Sequence, residues 1–127
     1  MSSFIAALTL EHRGIEVELD RLGTAIALKQ IDGEYFRQVK SLIMRHYIRE
    51  GEFIARLHEH EPGLASKLTA QHDEALEIAA KLEESLTAGQ SSDVAYLARR
   101  FLAIAQHNII EEERDAFPLA ERCFGAE

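Results

Sequence analysis

The chain has one cysteine (Cys123), two prolines and no tryptophan in 127 residues. A single cysteine excludes a disulfide framework and any zinc site built on two or four thiolates. It fits a reducing compartment. Two prolines and seven glycines are too few for a turn-rich β-sandwich or a disordered linker. Long apolar runs are also missing; a bilayer-crossing helix needs roughly 20 apolar residues. The first ten residues are mildly apolar without a basic stretch, and Glu11-His12-Arg13 follows at once. No signal peptide is therefore expected, and a cytoplasmic location is. Positive charge is scarce: 14 Lys and Arg face 22 Asp and Glu, for a net charge of −8. Such a chain is a poor candidate for nucleic acid or an anionic membrane surface. The length suits one domain, residues 1–127, able to bury roughly two thirds of its unfolded surface.

What the sequence does contain is helical periodicity, in four stretches with three short breaks. The first, about residues 3–30, carries an apolar stripe at Phe4/Ile5, Leu8, His12, Ile15, Leu19, Leu22 and Ile26. Asp32-Gly33 breaks it. The second, about 34–60, carries Phe36, Val39, Ile43, His46, Glu50, Phe53 and Leu57. Its alternating steps of three and four residues are those of a bundle seam. After Glu61-Pro62-Gly63, the third stretch (about 64–88) carries Leu68, His72, Ala75, Ala79, Leu82 and Leu86. The break Gly89-Gln90-Ser91-Ser92-Asp93 is rich in N-cap residues. The fourth stretch carries Val94, Leu97, Phe101, Ile104, His107 and Glu111. Pro118 should kink or end it, with a short last turn over 119–124. No stretch alternates with period two. The fold expected is all-α, an antiparallel up-down-up-down four-helix bundle.

Polar residues interrupt these apolar stripes. His12, His46, Glu50, His72, His107 and Glu111 all fall on core-facing positions, and every helix contributes. At about 1.5 Å rise per residue, their depths along the bundle agree to about 7 Å, the size of a two-metal cluster with its ligands. Buried imidazoles and carboxylates without partners cost several kcal/mol each, roughly. Metal ions remove that cost by making the groups ligands. The six are accordingly the expected metal ligands. Mixed imidazole and carboxylate donors suit iron, manganese or zinc. No Glu-x-x-His pair occurs, so the ferritin-like di-iron pattern is absent.

Other candidates read as surface or packing. Glu16, four residues after His12, flanks its stripe. His58-Glu59-His60-Glu61 lies at a helix end, and Pro62 stands where a zinc-protease motif needs its second His. Glu112 and Glu113 are expected at the surface, with support of a ligand from behind as the alternative for one of them, and Cys123 as a semi-buried hydrophobe. Tyr35, Tyr47 and Tyr96 are candidates to border the site. Leu8, Ile43, Leu76 and Ile104 should wall it off from water.

The chain resembles the hemerythrin-like, or HHE cation-binding, domains over nearly its whole length. The matching pieces are His12 in the first helix, His46-Tyr47-Ile48-Arg49-Glu50 in the second and His72 in the third. The most specific is the run from His107 through Glu111 to Phe117-Pro118. The resemblance implies two iron ions, an oxo- or hydroxo-bridged di-iron centre also bridged by the two glutamates. It departs from the oxygen carriers of the group, which have a second His four residues after the helix 3 His. This chain has Leu76 there. They also use an Asp five residues after the helix 4 His, where this chain has Glu111 at four and Glu112 at five. One His fewer implies a more open iron, reactive toward O₂, peroxide or nitric oxide. Three roles stay open: reversible O₂ binding for storage or sensing, redox turnover (including an iron-centre repair-like role), and iron-dependent recruitment of a partner.

Overall fold

A computed structural model describes residues 2–89 and 91–124. Four long helices form an antiparallel bundle: α1 (Ser3–Ala27), α2 (Gly33–His60), α3 (Pro62–Ala88) and α4 (Ser91–Glu111). α4 runs on through a π-helical turn, Glu112–Ala116, into a short α5, Phe117–Cys123. The described residues include no strand. Among the described residues no helix is long and apolar enough to cross a membrane.

The ends follow local chemistry. Ser2 Oγ accepts from the Ile5 N–H at 3.2 Å, and Asp32 Oδ1 from the Glu34 N–H at 3.1 Å. Each satisfies one of the bare N–H groups of a first turn. Pro62 opens α3, where a missing N–H costs nothing. Gly89 ends it in the left-handed region, at φ 71°. α1 stops at Ala27, three residues before the expected end, because Lys29 turns left-handed at φ 55°. Gln90, in the expected third break, lies outside the described residues.

The stripes of α1, α2 and α3 pack as the sequence indicates. Ile5, Leu8, Ile15, Leu19 and Leu22 are buried from α1, and Phe36, Val39, Ile43, Phe53 and Leu57 from α2. In α4 the expected stripe holds at Phe101 and Glu111, both buried, and shifts by one residue around them. Ala98, Ala105 and Asn108 are buried, Leu97 and Ile104 only partly so, and His107 is exposed. Small alanines let α4 close against its neighbours, and the larger residues beside them cover the rim.

The core is split in two. One apolar cluster holds Leu19, Leu22, Phe36, Ile43, Leu82 and Phe101. The other holds Ile5, Leu8, Phe53, Leu57, Leu68, Phe117 and Phe124. The stripes place His12, His46, Glu50 and His72 between these clusters, as a polar layer across the bundle.

Candidate metal centre

His12 from α1, His46 and Glu50 from α2, His72 from α3 and Glu112 from the π-helical turn meet in this layer. All five are nearly or fully buried. His46 and Glu50 share a face because four residues are one helical turn. His12 Nε2 is 3.0 Å from Glu112 Oε1 and 3.5 Å from Glu50 Oε2. His46 Nε2 is 3.2 Å from Glu50 Oε1. His72 Nε2 is 3.2 Å from Glu50 Oε1 and 2.9 Å from Glu112 Oε2. The two oxygens of Glu112 thus face different imidazoles, and so do those of Glu50. Carboxylates so placed can bridge two ions.

Glu112 owes its place to the helix that carries it. Pro118 has no N–H to give the Arg114 carbonyl, and its ring would crowd that carbonyl in an α-helix. The helix widens instead: the Phe117 N–H reaches the Glu112 carbonyl, five residues back. The buried stripe then runs Phe101, Ala105, Asn108, Glu112, Ala116. The carboxylate of Glu111 points elsewhere, to Lys67 Nζ at 2.9 Å, Gln71 Nε2 at 3.0 Å and His107 Nε2 at 2.8 Å. His107 is 57% exposed. Of the six residues expected at the centre, the structure therefore gathers His12, His46, Glu50 and His72, and leaves His107 and Glu111 outside. It adds Glu112, expected at the surface. The available signal for Glu112 was its spacing of five from His107, which is the spacing of the acidic residue in the oxygen carriers.

Further carboxylates hold the imidazoles from behind. His12 Nδ1 donates to Glu113 Oε2 and His46 Nδ1 to Glu11 Oε1, each at 2.7 Å. A carboxylate only accepts, so both rings keep their proton on Nδ1 and turn Nε2 inward. Arginines anchor the carboxylates in turn: Arg13 on Glu113, and Arg49 on Glu11 at 2.6 Å. Aromatic rings fix two of the imidazoles. His12 stacks on Phe117 with centroids 5.3 Å apart, and His72 on Tyr47 at 3.7 Å. Tyr47 thus borders the centre. Tyr35 instead donates to the Glu18 carbonyl, and Tyr96 is exposed. Cys123 is exposed rather than semi-buried, Glu16 pairs with Arg13 at the surface, and residues 58–61 are exposed. Leu8 and Ile43 are buried beside the layer, while Leu76 and Ile104 are partly buried against the core. A groove of about 730 Å³ between α1 and α2, lined by Glu11, Tyr35, Arg45 and Arg49, reaches His46.

Removing Glu11 or Glu113 frees a ring to rotate or change tautomer. Glu11→Ala and Glu113→Ala should each weaken divalent metal binding by about 10- to 100-fold. Equilibrium dialysis checks this; unchanged affinity in both would show that the rings need no such support.

Charge at the layer is strongly perturbed. Burial would lower the pKa of His12, but Glu112 and Glu50 outweigh it and raise it from 6.5 to about 10. The same balance lifts His72 to about 9. Burial opposes ionisation of Glu50, yet the three imidazoles facing it hold it well below 4.5. Burial pushes Glu112 up; His12 and His72 pull it back, and the neighbouring Glu50 adds to the rise. Raised histidine values stabilise the metal-free protein fully below about pH 6.5. That contribution disappears as pH climbs through about 9 and 10. Metal needs the deprotonated imidazole, so its affinity moves the opposite way. The melting temperature of the chelated protein should therefore fall from about pH 7 to 10, while metal affinity rises through the same window as His72 and His12 lose their protons. A melting temperature that climbed through the upper window would contradict this charge assignment.

The decisive physical feature is a set of bare ligand atoms. His12 Nε2, His46 Nε2, both Glu50 oxygens and Glu112 Oε1 are buried and make no hydrogen bond of proper geometry. A buried polar atom with no hydrogen bond costs about 1–3 kcal/mol, a cost that the ion pairs of the layer, at 3.0–3.5 Å, offset only in part. Ligand atoms of His12, His46, Glu50 and Glu112 all lie within 4.8 Å of one another, close enough to share an ion. The sequence matches the family described as hemerythrin, hemerythrin HHE cation binding domain, over residues 3–120. The chain belongs to this hemerythrin HHE family. Searches of curated proteins and of solved structures return no match. The family's cation-binding description and the bare donor atoms agree in pointing to a metal-binding site: this HHE domain has a buried His/Glu cluster that could hold a metal ion.

Proposed function

We propose that this HHE domain is a non-haem di-iron protein that binds or reacts with O₂ or with related small ligands, peroxide or nitric oxide. The observation that carries the reading is the pair of carboxylates, Glu50 and Glu112, each offering its two oxygens to different imidazoles. An all-nitrogen and oxygen donor set suits iron. Two bound irons would supply redox chemistry at coordination positions the protein leaves open.

The chain's own residues set the terms of that chemistry. His12, His46 and His72 would hold the ions through Nε2, with Glu50 and Glu112 between them. Glu11 and Glu113 keep His46 and His12 in the ligating tautomer. The apolar clusters on either side exclude water and favour small, weakly polar molecules. The groove lined by Arg45 and Arg49 is the approach to His46.

The test is the absorption spectrum of the iron-loaded, anaerobically reduced protein as O₂ is admitted and then withdrawn. A spectral change that reverses on withdrawal supports a binding or sensing protein. Direct and irreversible oxidation supports a redox enzyme, with peroxide and nitric oxide as the next substrates to screen. A spectrum indifferent to all three overturns the reading.

A further inference from the structure

The centre is lopsided. Ligand atoms of His12 and His46 lie together with those of Glu50 and Glu112 within 4.8 Å, while His72 approaches the same carboxylates alone from α3, at 3.2 Å from Glu50 Oε1 and 2.9 Å from Glu112 Oε2. On the His72 side the seam of α3 and α4 holds one more bare polar atom. Asn108 is 1% exposed, and its Oδ1 makes no hydrogen bond. The direction of this amide is set from the far side. The Glu111 carboxylate can only accept, and it takes Gln71 Nε2 at 3.0 Å. Gln71 Oε1 is then turned to accept from Asn108 Nδ2, at 2.8 Å. The end of Asn108 left without a partner is therefore its oxygen, a hard neutral donor of the kind cations accept. Gln71 directly precedes His72, and Glu112 follows Asn108 by one helical turn.

We propose that Asn108 Oδ1 completes the metal position on the His72 side, directly or through a bound water. This rests on the two-metal reading above. One imidazole and an amide hold an ion less tightly than two imidazoles. The His72 position therefore fills last, empties first and keeps more exchangeable coordination places. Lys67, Glu111 and Gln71 serve it by aiming the amide.

The test is stepwise anaerobic titration of the chelated full chain with Fe(II), counting metal per chain by equilibrium dialysis. Wild type should fill in two steps, the second at least about tenfold weaker. Asn108→Leu keeps the volume and should weaken the second step by about tenfold or more, leaving the first unchanged. Asn108→Asp keeps the shape, adds an anionic oxygen and should strengthen the second step. A purely structural Asn108 would lower the melting temperature of both chelated variants and would not shift the second step in opposite directions. Second steps that stay within about twofold of wild type, or that weaken alike in both variants, overturn the role of Asn108 while the two-metal reading stands. Wild type that binds no metal overturns both.

Discussion

Loading the chelated protein with ferrous iron is expected to raise its melting temperature by about 10–20 °C. A ligand at about 1,000 times its dissociation constant stabilises the folded state by about 4 kcal/mol. For a domain of this size each kcal/mol is worth about 3–5 °C. The bare atoms of the polar layer are the reason the effect should be large. In the metal-free chain the burial of Glu50 and Glu112 is relieved only by the charged imidazoles around them. Metal would satisfy His12 Nε2, His46 Nε2 and both carboxylates at once. Thermal melts with and without a chelator measure it. Equal melting in the two would mean that the layer is a hydrogen-bonded structural feature.

The second large effect separates neighbouring residues. Glu112→Gln should weaken iron binding by about 100-fold or more, because it removes a charge shared by two positions. It should also destabilise the chelated protein by about 3–5 kcal/mol, since His12 and His72 lose a buried counter-charge. Glu111→Gln should leave the tighter iron step and the stability of the chelated protein nearly unchanged, and should touch only the weaker step, through the aim of Gln71 and Asn108. Its side chain keeps an oxygen for Gln71, and the pair it loses, with Lys67, is half open to water and worth at most about 1 kcal/mol. His107→Ala should leave iron affinity unchanged, because its ring sits 57% exposed on Glu111. Calorimetric titration of the three variants reads the contrast. If Glu111→Gln or His107→Ala weakened iron binding as much as Glu112→Gln, the register of α4 would be the one its apolar bulk suggests.

That contrast marks where the sequence was legible. In α2 the stripe from Phe36 to Leu57 has one bulky residue per step, so its two interruptions, His46 and Glu50, stood out and are buried as expected. His12 and His72 were found in the same way. α4 offers two overlapping stripes. Ile104 and His107 lie on one, Ala105 and Asn108 on the other, and bulk favours the wrong one. Small residues face inward because the helices approach closely, and hydrophobicity alone does not register that. Glu111 and Glu112 are chemically identical, so only backbone geometry distinguishes them. The π-helical turn ahead of Pro118 begins at Glu112 itself and leaves no periodic trace in sequence. Glu11 was not legible, and Glu113 only as an alternative, for a different reason. They flank the stripes among many surface acids, and only contact with His46 and His12 sets them apart.

The central claim, two ions sharing the carboxylates of one buried layer, is tested most directly by X-ray absorption at the iron edge of the loaded protein. The account predicts a first shell of nitrogen and oxygen only, with a second iron as the nearest heavy scatterer. An isolated iron with no metal neighbour, or a sulfur ligand from Cys123, would contradict it.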